Sequence, residues 1–168
     1  IIERLKKRME LGDEYAFDMM GCFHDEGEYG VPQDSAKAIE FWHKAGKFGY
    51  NNIGSAYGLG EGVERDEKMA HHYLELAAMG GNVTARHNLG VDEYDAGNYD
   101  RALKHFMIAV RGGRTLSVKY IQQMYMVGHA AKDHYANALR SHQAYLDEIK
   151  SDQRDKAAAV LGDRCQYY

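Results

Sequence analysis

The sequence predicts an all-α protein, an array of stacked helix-turn-helix repeats, on three observations. Helix-forming Ala, Leu, Met, Lys and Glu are plentiful, proline occurs once, at Pro32, and strand-type runs of Val, Ile and Thr are absent. A glycine preceded by a large apolar residue recurs at Gly21, Gly54 and Gly90, at spacings of 33 and 36 residues, a period typical of helical repeats. After each glycine comes a turn and then a second segment with apolar residues at helical spacing.

The elements follow in order. Residues 1–12 carry Leu5, Met9 and Leu11 ahead of Gly12-Asp13. They read as the second helix of a preceding hairpin or as an N-terminal cap. Residues 13–49 form repeat 1, with Ala16-x-x-x-Met20-Gly21 on its first helix, a turn over 27–34, and a second helix over 37–45. His24 stands where the next copy has Tyr57, and one extra residue lengthens the turn.

Residues 50–81 form repeat 2. Its second helix places Ala70, Tyr73, Leu74 and Ala77 at i, i+3, i+4 and i+7, one face of an α-helix. Asp66 is placed to accept hydrogen bonds from the free first-turn amides, and Gly80-Gly81 permits the left-handed turn that ends the helix. Gly81 and Gly90 lie nine residues apart, whereas Gly49 and Gly54 lie five apart, so the first helix of repeat 2 lacks about one turn. Either that helix is short or a turn of chain is absent from the sequence. The second is favoured, since deleting a turn would shear the stack, and a Gly49–Tyr50 Cα separation beyond the ~3.8 Å of a trans peptide would mark it.

Residues 82–113 form repeat 3, with Ala85-x-x-x-Leu89-Gly90, a shorter turn over 97–100, and a second helix over 101–110 before Gly112-Gly113. Residues 114–150 form a degenerate repeat 4, opening on Ser117-x-x-x-Ile121-Gln122 and running from Gly128 through Ala138-Leu139 to Tyr145-Leu146. Gln122 replaces the packing glycine and predicts looser packing. Residues 151–168 read as a capping helix that stops at Gly162, followed by a tail; such polar-backed caps shield a solenoid's last apolar face.

Alanine at a fixed place in both helices of each hairpin, with glycine beside a large residue on the first, lets backbones approach closely. No hairpin can bury its apolar stripe alone, so stacking stabilises it. The test of this reading is the burial of Ala38, Ala70 and Ala102.

The full pattern, from Ile53-Gly54-x-x-Tyr57 through Gly60-x-Gly62-Val63-x-x-Asp66 and Lys68-Met69-Ala70 to Tyr73 and Ala77-Ala78, resembles the Sel1-like repeat, a relative of the tetratricopeptide repeat. In appearance the chain is most similar to multi-copy Sel1-repeat proteins of unicellular algae, on the stretch from Arg86 to Gly113 and the phrase beginning Ala144-Tyr145-Leu146. The resemblance implies a right-handed α/α superhelix forming a single solenoid over 1–168, and a role as an adaptor. Some Sel1-like proteins with many regularly paired cysteines hydrolyse β-lactams. That pairing is missing here, and the activity is not carried over.

Charge and composition narrow the function classes. The net charge is −4, which gives no electrostatic reason to expect nucleic acid or an acidic membrane as partner. Residues 1–84 carry 9 basic and 15 acidic groups and residues 85–168 carry 12 and 10, an imbalance that solvated helix faces readily produce. Cys22 and Cys165, the only two cysteines, are too few for a disulfide framework and fit a reducing compartment, cytosol or organelle interior. No apolar run approaches the ~20 residues of a membrane span. The chain opens on Ile1-Ile2-Glu3-Arg4 without signal-peptide character, and reads as a fragment of a longer, soluble protein.

The candidates for chemistry are weak. His71-His72 are adjacent, and His129 and His134 stand at i, i+5. Neither pair has the i, i+4 spacing or the Cys and Glu companions of a zinc site. Cys22 has no helix N-terminus or basic cluster beside it to stabilise a thiolate. Gly58-x-Gly60-x-Gly62 follows no strand and lacks the Lys-Ser/Thr ending of a phosphate loop. Phe41, Trp42, Tyr73, Phe106 and Tyr145 fall on core faces of second helices. No catalytic, cofactor-binding or metal-binding residue is expected, and the chain reads as not an enzyme.

The remaining surface is the concave side, lined by first helices, where a partner's peptide or helix can lie. Positions two, six and nine after each opening small residue point away from the seam. They give Asp18, Cys22 and Asp25, then Asn51, Ser55 and Gly58, then His87, Val91 and Tyr94, then Lys119, Gln123 and Met126. Asp18, Asn51, Ser55, His87, Tyr94, Lys119, Gln123 and Met126 are the expected partner-binding residues. Tyr94, Met126, His87 and Lys119 carry contact energy and Asp18 sets polarity. The alternative is a constitutive structural subunit of a large multiprotein complex. A monomer soluble alone supports the adaptor, and insolubility without a partner supports the subunit.

Overall fold

A computed structural model describes residues 1–150. The capping helix expected over 151–168 lies outside them. The described residues are helical and contain no strand. They divide into two compact units, Ile1–Leu89 and a second beginning at Gly90.

The first unit contains α1 (Ile2–Glu10), α2 (Glu14–Glu26), α3 (Ser35–Lys44), a 3₁₀ turn (Gly46–Phe48), α4 (Tyr50–Leu59) and α5 (Glu67–Met79). The next helix, α6 (Val83–Asp95), contains the boundary between the units. The second unit continues with α7 (Tyr99–Arg111), α8 (Thr115–Met126) and α9 (Lys132–Ile149). In the first unit α1 packs on α2, α2 on α3, α3 on α4 and α4 on α5; in the second α7 packs on α8, and α9 on both.

Three helix starts follow from aspartates. Asp13 accepts from the Tyr15 and Ala16 amides at 3.1 and 3.3 Å, and Arg8 Nε donates to its other oxygen at 2.7 Å. That guanidinium hydrogen bond holds the Asp13 carboxyl below its usual pKa. Asp34 caps α3 through the Lys37 amide at 2.9 Å, and Asp66 caps α5 through the Lys68 and Met69 amides at 2.9 and 3.1 Å. Both capping aspartates also tie the hairpin tip, since the Asp34 amide donates to the His24 carbonyl at 2.7 Å and the Asp66 amide to the Tyr57 carbonyl at 3.0 Å. His24 thus does the backbone work of the tyrosine it replaces. Its own ring is buried, stacked on Phe41 at 5.2 Å.

The seam is made of small residues. Ala38 and Ala102 are 0 % exposed and Ala70 is 8 % exposed, and Ala16, Ala85 and Ser117 on the first helices are fully buried as well. Opposite them each first-helix glycine faces a large second-helix side chain. A Cβ on Gly21 would stand 2.5 Å from the Trp42 indole, one on Gly54 3.1 Å from Leu74, and one on Gly90 2.7 Å from the Phe106 ring. Three glycines at one repeat position therefore serve one purpose, contact between a bare backbone and a bulky partner. At the fourth position Gln122 is exposed while its neighbour Ile121 is fully buried.

Repeat 2 opens on a short first helix, Tyr50–Leu59. The 3₁₀ turn leads directly into α4, with the Gly49 amide donating to Gly46 and the Ile53 amide to Gly49, each at 3.0 Å. α4 has ten residues against thirteen in α2 and α6. A Cβ on Gly49 would overlap the Trp42 carbonyl, so the end of α3 and the start of α4 touch backbone to backbone. The short helix packs by using that glycine.

In the turn after α4, Gly62 has φ +73°, and a Cβ on it would lie 2.6 Å from the Ser35 carbonyl carbon and 2.7 Å from the Ala36 nitrogen. The tip of the second hairpin sits on the first turn of α3. Gly30, at the same place before a valine in repeat 1, has φ +78° and open space around it.

Candidate functional site

The expected partner-binding residues fall in both units. In the first, Asp18 on α2 is half-buried, and Asn52 Nδ2 on α4 donates to its Oδ1 at 3.1 Å. The same amide approaches Cys22 Sγ at 3.7 Å. The residue of α4 that meets Asp18 is Asn52, the neighbour of Asn51. Asn51 is half-buried with its side-chain oxygen enclosed and unpaired. Ser55 is exposed and its hydroxyl bonds back to the Asn51 carbonyl at 3.1 Å. His87 is buried, 6 % exposed, and does not present its ring as an open contact surface.

In the second unit Tyr94 is half-buried and sits edge-on to Tyr99 and Tyr120, at 5.4 and 6.1 Å. Lys119, Gln123 and Met126 are exposed on α8, Met126 at 76 %. Their i, i+4, i+7 spacing puts them on one helix face.

A cavity of about 120 Å³ opens beside Asn52. Asp25 and Glu26 of α2, Ser55 and Ala56 of α4, and Glu61 of the following turn line it together with Cys22 and Trp42. Trp42 is 4 % exposed. Burial, reinforced by the Asp18 charge, pushes the Cys22 thiol up, and the neighbouring Trp42 indole N–H offsets part of the rise; the net direction is opposite to what a nucleophile needs. Asn52, Trp42, Glu26 and Glu61 were not anticipated. The Gly21–Trp42 pairing was the available signal, since a tryptophan lying on a glycine has one edge free to border a cavity.

Burial raises the Asp18 carboxyl to about 6, partly offset by the Asn52 hydrogen bond. Its folded-state pKa lies above the unfolded value, so its contribution is greatest below pH 4 and is lost as pH rises through 6. Asp18→Asn keeps an acceptor for Asn52. It is expected to raise stability at pH 7 by about 1 kcal/mol, discounted for the group's partial exposure, and to leave stability at pH 3.5 unchanged. Urea melts at the two pH values check this; an equal effect at both would refute the assignment.

Residues 18–47 and 48–82 each match the Sel1 repeat family model. Residues 18–82 carry two Sel1 repeats. A Sel1 repeat protein from Oxalobacter formigenes has a similar structure, with TM-score 0.73 and 28 % identity, over 85 % of this chain and 62 % of that one. The protective antigen c5321 of uropathogenic Escherichia coli, described as an SLR fold, aligns with TM-score 0.71 and 24 % identity over 83 % of this chain and 33 % of the antigen. In sequence, 88 residues are 34 % identical to HRD3B of Arabidopsis thaliana, an ERAD-associated E3 ubiquitin-protein ligase component. The match covers 52 % of this chain and 14 % of that protein.

The Sel1 assignment accounts for the glycines and alanines as packing residues. It leaves unexplained the acidic cavity and the open face of α8. Among the described residues no group of three His, Cys, Asp or Glu side chains is arranged to hold a metal ion, and no helix is long and apolar enough to cross a membrane.

Proposed function

We propose that this Sel1-repeat chain is a non-catalytic protein-interaction module that holds a partner segment against its first helices. The observation that carries this reading is the open face of α8. Lys119, Gln123 and Met126 project from it beside the half-buried Tyr94–Tyr120 pair, combining an aromatic anchor, a flexible thioether and polar groups, a mixture suited to protein contact. The description of HRD3B as a ligase component supports a role within an assembly.

Affinity purification of the full-length protein followed by mass spectrometry supplies the partner. Tyr94→Ala with Lys119→Ala is expected to weaken that partner at least about tenfold while the far-ultraviolet circular dichroism is unchanged. Unaltered affinity would remove this face from the interaction.

A further inference from the structure

We propose that the groove along the exposed face of α7 docks an amphipathic helix of a partner protein, one whose apolar residues are flanked by carboxylates. This surface goes beyond the α8 face described above and lies wholly within the second unit. α7 has two distinct faces. Ala102, Phe106 and Val110 are fully buried in one core with Ile121 and Met124 of α8, whereas Lys104, Ile108 and Arg111 are exposed.

Lys104, Met107, Ile108 and Arg111 stand at i, i+3, i+4 and i+7, so a single stripe reads cation, apolar pair, cation. A groove of about 600 Å³ runs along it, lined also by Leu103 and by His134 from the first turn of α9. Two helices therefore shape it, and its volume falls within the ~300–1,000 Å³ of sites that take organic groups. Ile108, in the middle of the stripe, is 47 % exposed and gains most from being covered.

Charge selects the occupant. Among the described residues neither the Lys104 ammonium nor the Arg111 guanidinium makes an ion pair or a side-chain hydrogen bond, so both have donors to offer. They lie two helical turns apart, ~10 Å along the axis. Carboxylates seven positions apart on a facing helix match that span, with the residues three and four positions along covering Met107 and Ile108. The Arg111 fork can hold its carboxylate through two hydrogen bonds. Asp100, one turn before Lys104, lines the end of the same groove and repels a further negative charge. That favours two spaced carboxylates over a uniformly anionic surface such as an acidic membrane.

The probe is a fluorescein-labelled helical peptide, stapled on its far face, that carries Glu-Ala-Ala-Leu-Leu-Ala-Ala-Glu. Control peptides replace both Glu by Lys, or both Leu by Gln. With the whole chain, the acidic peptide is expected to raise the fluorescence anisotropy saturably at submillimolar concentration, less so as salt rises from ~0.05 to ~0.5 M, and neither control should. Lys104→Glu with Arg111→Glu is expected to weaken the acidic peptide at least about tenfold and to admit the lysine peptide instead. Both side chains are exposed, and an unchanged circular dichroism spectrum verifies the fold. Tyr94→Ala with Lys119→Ala should leave peptide binding unchanged, so the groove and the α8 face stand or fall separately.

No saturable binding, equal binding of either control, indifference to the charge reversal, or refusal of the lysine peptide by the reversed protein would overturn the groove. Binding to phosphatidylserine vesicles in place of the peptide would assign the stripe to a membrane. A dimer in sedimentation that the charge reversal makes monomeric would assign it to a second copy of this chain. Either of these results equally rejects the partner helix.

Discussion

Gly62→Ala is expected to destabilise the first unit by about 2–4 kcal/mol, against about 1 kcal/mol for Gly30→Ala. Both positions have positive φ, +73° and +78°, and each pays the same left-handed penalty on gaining a Cβ. They differ in what surrounds them. At Gly62 the new atom would lie 2.6 to 2.8 Å from backbone atoms of Ser35 and Ala36, which belong to the capped first turn of α3 and cannot rotate aside as a side chain could. At Gly30 nothing lies within 4 Å. Urea denaturation of the two variants isolates the steric part, and equal losses would show that the close approach to α3 contributes nothing.

Phe106→Ala is expected to cost about 3–5 kcal/mol in the second unit. The ring is fully buried, packs on Tyr120 at 4.9 Å and covers the bare backbone at Gly90. Truncation opens a void bounded by α6, α7 and α8. The same geometry predicts non-additivity. Gly90→Ala destabilises the native protein, because its Cβ would lie 2.7 Å from the ring, but it should be tolerated once Phe106 is alanine. A double-mutant cycle read by thermal melting tests this, and additive losses would separate the two residues energetically.

The seam was legible in the sequence because its requirement is local and repeated. Ala16, Ala85 and Ser117 recur at one position, and Ala38, Ala70 and Ala102 at another, and only small side chains permit that contact. The caps were legible because Asp66 stands one residue before a helical apolar pattern. The surroundings of the candidate face were not legible by counting offsets, which names a helix face but not its neighbours: Asp18 is tied to Asn52 of α4. His87 satisfied the same count but is buried. The cavity beside Asn52 was invisible to counting, since it requires residues from α2, α4 and a turn to border the edge of one indole. Such an arrangement depends on helix depth and rotation, which periodicity does not encode.

Each core cluster among the described residues draws on chain that is close in sequence. Leu5, Ala16, Met20 and Phe23 make one; Ala38, Trp42, Ile53 and Ala56 the next; Leu74, Ala77, Ala85 and Leu89 a third; and Phe106, Val110, Ile121 and Met124 belong to the last. None must wait for a distant strand or terminus. A growing polypeptide can therefore shield every apolar stripe soon after it leaves the ribosome, in the order of synthesis, and the interval in which sticky surface meets the cell is short.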